Sequence, residues 1–336
     1  MSVRTTRRAM VASALSCAAI LAISACSSGS TADSTSSSGS SAGASSGAAE
    51  KGTVGIVEFD TTAAIDNLFV TGTKAELEKK GWKTLSQDPK GDPGQANSIC
   101  SQLVTQQVQV IVITTFAQDQ MAQCMSQAKG ANIPVFYIGS PLLDGMAGAV
   151  DVTSPKPIND LFVPYVKDNG VTDILTLDYT PGTPCRLRKQ YRDQLLKGVS
   201  VKVTSHEFPI PGQVVDAQNT TAAWLAAHPA GSGKFAIWAC FTDPTAGAVA
   251  AIKQAGRTDD IPIYTWDFNK TILDPLKSGQ VAATLSLDGN AVGAQVATLI
   301  DEYMVSHTPK GVPAANTILT AKTIDDYLSK NPNALK

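Results

Sequence analysis

Asp60, Asp178 and Asp267 each come at the end of an apolar or β-branched run, and Asp243 follows another run after Phe241 and Thr242. Hydroxyls stand at comparable places in Thr115, Ser140 and Thr242, and aromatic rings in Phe59, Phe116, Tyr179 and Trp266. Carboxylates accept hydrogen bonds, hydroxyls donate and accept, and aromatic faces cover C–H surface, so the set suits a small polyhydroxylated ring. Paired acids could also carry acid–base chemistry on a glycoside. Against catalysis, the chain has no GxSxG elbow, no GxxxxGK phosphate loop and no HExxH, and only His206 comes near the set. His206, His228 and His307 stand singly and there is no CxxC, so neither a metal nor a cofactor is expected.

Those residues need elements that bring them to one place. Short apolar runs alternate with amphipathic stretches, the pattern of βαβ units and a parallel sheet. The strands expected in the first half are 53–59, 82–86, 108–114 and 133–138, with helical spacing through Leu68, Val70, Ala75 and Leu77, through Ile99, Leu103 and Val104, and over 118–129. The alternation resumes with strands 173–177, 201–207, 234–239 and 261–265 and helices 187–196, 217–227 and 247–254. Strands near 281–286 and 317–320 around a helix at 292–304 are expected to pass back and forth between the halves. In open α/β sheets, ligands bind beyond the carboxyl ends of the strands, which is where the candidate residues lie.

The first 25 residues form an export signal: Arg4, Arg7 and Arg8, an apolar run from Ala9 to Ile23, then small residues. The run is shorter than the roughly 20 residues a membrane span needs. It ends in Ile23-Ser24-Ala25-Cys26, which resembles a bacterial lipobox and makes Cys26 the expected lipidation site. Thr6-Arg7-Arg8-Ala9-Met10 is similar to part of a twin-arginine signal, so the export route stays open. Residues 26–50 are mostly Ser, Gly, Ala and Thr, too poor in apolar groups to order themselves, and read as a tether spanning on the order of 25 Å. Removing the signal takes three arginines and no acid from the 27 basic and 29 acidic side chains, leaving a net charge of −5. Nucleic acid is not an expected partner. Four cysteines remain beside Cys26, namely Cys100, Cys124, Cys185 and Cys240, an even number that points to disulfides in an exported chain.

Ala131-Asn132-Ile133-Pro134-Val135, Phe241-Thr242-Asp243-Pro244 with Ala248 to Gly256, and Ile261-Pro262-Ile263-Tyr264-Thr265-Trp266-Asp267 follow one another in order, and Leu276-Lys277-Ser278-Gly279-Gln280 comes next. Together they resemble the type I periplasmic binding proteins, the group of ribose- and galactose-binding proteins, over residues 52–327. Asn132 stands where that family carries glycine, and Asn tolerates the left-handed conformation. The resemblance implies two doubly wound parallel-sheet α/β lobes joined by three hinge crossovers, near 150–153, 284–288 and 319–322. Lobe 1 would comprise 51–151 plus 287–315, and lobe 2 would comprise 152–286 plus 316–336.

It further implies an extracytoplasmic lipoprotein, monomeric, anchored to the outer face of the cell membrane through Cys26, that delivers a small solute to the permease and ATPase subunits of an ABC importer. A receptor feeding a sensor protein would use the same closure. The family's ligand acid falls on Asp267, with a helix N-cap as the other role, and its Asn-Asp pair on Thr242 and Asp243. Its ligand arginine falls near Arg186 and Arg188. The family's sugar-stacking aromatics align with Ala63 to Asp66, so stacking would have to come from Phe59, Phe116 or Trp266. Cys185 and Cys240 would sit at neighbouring strand ends and pair; Cys100 and Cys124, on successive helices, could form a bridge or remain buried thiols.

Overall fold

A computed structural model describes residues 51–335 of the chain. The signal, the lipobox with Cys26 and the tether lie outside the described residues.

The first lobe opens with β1 (Gly52–Val57), α1 (Ala64–Lys79), β2 (Trp82–Gln87), α2 (Pro93–Thr105), β3 (Val110–Thr114), α3 (Ala122–Gly130), β4 (Val135–Ile138) and β5 (Gly148–Asp151). The second contains α4 (Lys156–Asp168), β6 (Asp173–Asp178), α5 (Thr183–Leu195), β7 (Lys202–Glu207), α6 (Gln213–Ala227), β8 (Phe235–Ala239), α7 (Thr242–Gln254), β9 (Ile263–Tyr264), α8 (Leu273–Ser278) and β10 (Val281–Leu287). The chain then returns to the first lobe for α9 (Gly289–Ser306) and β11 (Lys310–Pro313), and to the second for β12 (Asn316–Leu319) and α10 (Ile324–Lys330).

Each lobe is built on a six-stranded sheet, ordered β11-β5-β4-β3-β1-β2 and β12-β10-β9-β8-β6-β7. The interior strands β3 and β8 are buried at every position, as their unbroken apolar sequences require when helices cover both faces. All ladders of the first sheet are parallel. In the second, β12 runs antiparallel to β10. The reason lies in the connection: β10 carries the chain out of the lobe and β12 brings it back.

That return corrects one expected boundary. The third crossover is at Ala314 and Ala315, between β11 and β12, and not at 319–322. The crossovers are tied to one another, since Ala314 N donates to Asp151 O at 2.8 Å and Asn316 Nδ2 to Ser154 Oγ at 3.0 Å. Five of these elements had no sequence expectation: the strands β5 and β11, four residues each, and the helices α4, α8 and α10. In α4, Pro157 sits in the first turn, where a missing N–H costs nothing, and Ile158, Phe162, Val163 and Val166 bury one face of the helix despite Pro164. Asn132 does take the left-handed conformation, at φ 57°.

Both cysteine pairs are disulfides. Cys100–Cys124 joins α2 to α3 with Cα atoms 5.5 Å apart, and Cys185–Cys240 has a Cα separation of 5.3 Å. Cys185 lies in the first turn of α5 rather than at a strand end, while Cys240 follows β8 directly.

Candidate functional site

The carboxyl ends of both sheets face each other, and the lobes touch across the gap. Thr183 N, at the start of α5, donates to Thr115 O beyond β3 at 3.0 Å. Phe116 and Gly182 form an antiparallel bridge, and Arg186 Nη1 lies 3.1 Å from Asp119 Oδ1. Asp243, at the start of α7, accepts from the backbone N–H of Ala64, at the start of α1. One core cluster runs from lobe to lobe through Phe59, Phe116 and Tyr179. This is a closed arrangement.

Between the lobes lies a cavity with about 430 Å3 of empty volume, including its mouth. Its polar lining comprises Asp66 and Thr115 from lobe 1 and Tyr179, Arg188 and Asp267 from lobe 2; Phe59, Ile65, Phe69, Ile210 and Phe241 are among its apolar walls.

Thr115 and Asp267 follow strands and have φ of 61° and 64°. Left-handed backbone is costly for a β-branched threonine, and such residues persist where neighbours over-determine them. Here Thr115 N is held by Ile138 O and Asp267 N by Leu285 O, both at 2.8 Å. The Thr115 hydroxyl donates to Asp66. Burial raises Asp66 to a pKa of about 8, which the Thr115 hydrogen bond opposes and the charges of Asp267, Asp243 and Asp60 reinforce. Its carboxyl is therefore mostly protonated at neutral pH.

Arg188 projects from α5 one turn beyond Cys185 and is 2% exposed. Its Nε donates to Thr153 O at 2.8 Å, Nη2 to Val152 O at 2.9 Å and Nη1 to Cys240 O at 2.8 Å. Two of those carbonyls belong to the first crossover, so one side chain joins the cavity, the hinge and the disulfide. Burial lowers its pKa to about 10, opposed by Asp267 and Asp151. Asp267 is raised to about 6 by burial, against the attraction of Arg188 and with help from Asp243. Among the described residues, nothing donates a hydrogen bond to its carboxylate.

Of the residues singled out in the sequence, Phe59, Thr115, Tyr179, Cys185, Arg188 and Asp267 line this cavity. Thr242 and Asp243 line an adjoining crevice that shares Ile65, Phe241 and Asp267 with it. Phe116 stands behind Phe59 with ring centroids 4.8 Å apart. The others lie elsewhere. Trp266 is fully buried, gives its Nε1–H to Ser154 O at 2.9 Å and carries the Arg188 guanidinium 5.2 Å above its ring, so it supports the arginine and offers no ligand face. Asp178 is buried in an ion pair with Arg192 at 2.7 Å; against burial, that guanidinium holds it below the usual carboxylate range. Arg186 reaches Asp119, which leaves Arg188 as the arginine of the cavity. Ser140 donates to Pro141 O, and Asp60 accepts from Thr62 with its second oxygen buried and unpartnered. His206 pairs with Asp216 on α6, outside the cavity lining.

Sequence reasoning missed Asp66, Phe69 and Phe241. A signal for Asp66 existed: an acid followed by Phe69 and Val70 three and four positions on lies on the buried face of its helix. Consecutive strand residues point to opposite sides, so where Asp178 turns to Arg192, Tyr179 beside it faces the cavity.

Residues 54–307 match the model of a family described as periplasmic binding protein domain. Among curated proteins no sequence matches. Among solved structures, an ABC transporter solute-binding protein from Agrobacterium vitis with bound allitol is 24% identical, with a TM-score of 0.74, covering 83% of this chain and 98% of that one. An ABC sugar transporter subunit from Rhodobacter sphaeroides is 20% identical, with a TM-score of 0.73 over 81% and 98%. A 5-methylthioribose transporter solute-binding protein from Thermotoga lettingae, in complex with 5-methylthioribose, is 19% identical, with a TM-score of 0.72 over 85% and 93%. At these identities the likeness is one of fold.

Proposed function

The chain belongs to the periplasmic binding protein family, and on that premise we propose that it is the extracytoplasmic substrate-binding lipoprotein of an ABC importer, capturing a small polar, sugar-like solute by closing its lobes around it. The observation that carries this reading is the cavity whose polar groups come from both lobes, Asp66 and Thr115 on one side and Arg188 and Asp267 on the other. A ligand touching both sides binds the closed form better than the open one, and that difference is what shifts the equilibrium. Arg188 ties the ligand wall to the crossover carbonyls of Val152 and Thr153, so closure and binding share one side chain. The closed pair of lobes is the form offered to the permease and ATPase. The solutes bound in the solved neighbours, allitol and 5-methylthioribose, are in keeping with a sugar-like cargo.

The test is a thermal-shift screen of residues 50–336 against sugars, polyols, amino acids and small aromatic acids. A ligand at 100 times its dissociation constant stabilises the fold by about 2.7 kcal/mol. Asp267→Asn is the matching variant, because Asn accepts the left-handed backbone that Asp267 adopts; it should weaken binding by about tenfold to a hundredfold through loss of a charged hydrogen-bond acceptor. Binding by a sugar or polyol that ignores this substitution, or turnover of a glycoside, would refute the reading.

The lipid anchor makes a separate prediction. In cells, Cys26→Ser should leave the protein unlabelled by fatty acid and move it from the membrane fraction to the soluble fraction. An unchanged membrane fraction would remove the anchor from the proposal.

A further inference from the structure

The polar groups of the cavity are few and largely committed. Thr115 gives its hydroxyl hydrogen to Asp66, and each of the three guanidinium nitrogens of Arg188 already holds a backbone carbonyl. What remains for a ligand is the Asp267 carboxylate, the free oxygen of Asp66, the Tyr179 hydroxyl and the second N–H on each terminal nitrogen of Arg188. The adjoining crevice adds the amide N–H groups of Asn269 and little else. There Asp243 is taken by Gln213 Nε2 and the N–H of Ala64, Thr242 donates to Trp266 O, and Asn269 caps Thr271. The rest of the lining includes Phe59, Ile65, Phe69, Ile210 and Phe241, whose side chains offer no hydrogen bond.

A hydroxyl buried without a partner forfeits its hydration, and each such loss weakens binding by about tenfold or more. A sugar with a hydroxyl on every carbon would bury some of them against the apolar wall. A ring with hydroxyls along one edge and a methyl or unsubstituted carbon on the other would meet a partner at every polar atom. We propose that the cavity selects a monosaccharide-sized solute that is deoxygenated or alkylated on one edge, its hydroxylated edge held by Arg188 and Asp267 and its apolar edge against Ile65, Phe69 and Phe241. This assignment rests on the sugar-binding reading above and narrows it to one chemical class.

The test is calorimetric titration of the soluble chain with matched pairs that differ by one hydroxyl, D-galactose with D-fucose and L-mannose with L-rhamnose, each repeated with Asp267→Asn to locate binding in the cavity. The expected result, in whichever pair has the accepted stereochemistry, is that the deoxy sugar binds at least about tenfold more tightly than its parent. Ile65→Asn, which adds an amide to the apolar wall, should reduce that preference to within about threefold, a difference on the order of 0.7 kcal/mol. Parent sugars that bind as tightly as their deoxy partners, or more tightly, would overturn the selectivity while leaving the sugar receptor intact. If no member of either pair binds while an amino acid or aromatic acid does, both the selectivity and the sugar reading fail.

Discussion

Replacing Arg188 with methionine is expected to destabilise the protein by on the order of 5 kcal/mol and to abolish ligand binding. Three carbonyls depend on this guanidinium, those of Val152, Thr153 and Cys240. A buried acceptor stripped of its donor costs about 1–3 kcal/mol, and three such losses dominate any gain from burying the thioether. Asp267 would also lose the positive charge that opposes its protonation. Lysine should rescue little, because one ammonium cannot reproduce the guanidinium fork toward three carbonyls. Urea denaturation and calorimetry on the same samples separate the two effects. An Arg188→Met protein unfolding within about 1 kcal/mol of the parent would mean that the carbonyls find other donors, and retained binding would remove the arginine from the site.

Asp66→Asn should stabilise the protein, and the gain should grow with pH. An aspartate titrates near 3.8 when free, whereas the buried Asp66 carboxyl titrates near 8. Between those values the folded chain holds a proton that the unfolded chain has released, so its stability falls as pH rises across that window and levels off above it. At about 1.4 kcal/mol for each pH unit, the loss is on the order of 5 kcal/mol by pH 8. Asp267, raised to about 6, adds a smaller loss confined to the acid part of the window. Asparagine cannot ionise and keeps an oxygen for the Thr115 hydroxyl, so the variant should match the parent near pH 4 and melt well above it at pH 8. Melting curves across that range provide the check. Parallel curves for parent and variant would show that Asp66 is charged in the folded state and reaches solvent. Because the parent carboxyl is already mostly protonated at pH 7, ligand affinity there should change by no more than about threefold.

Much of this architecture could be read from one chain. Apolar runs such as Val110–Thr114 and Phe235–Ala239 are buried over their whole length, a requirement that acts residue by residue and so leaves its mark on sequence. Thr115 and Asp267 were legible for the same reason, because the end of a strand is a local feature and the carboxyl ends of parallel strands share one edge of the sheet. The pairing of Cys185 with Cys240 followed from the family likeness rather than from composition.

What the sequence left open depends on where side chains point once two lobes close. Asp178 and Tyr179 are neighbours at the end of β6, yet one is neutralised by Arg192 inside its lobe and the other faces the cavity. Arg186 and Arg188 differ by two positions on α5 and thus by more than half a turn, which sends one to Asp119 across the cleft and the other into the hinge. Asp66 is an ordinary helix-start acid until α1 is packed; its burial, its raised pKa and its place beside Asp267 all arise from the fold around it. Sequence alone determined the alternating elements, the cysteine inventory and the strand ends where a ligand would be met, because local propensity and burial specify them. Only the tertiary structure decided which polar groups remain free there, because hydrogen-bond partners are contributed by segments far apart in the chain.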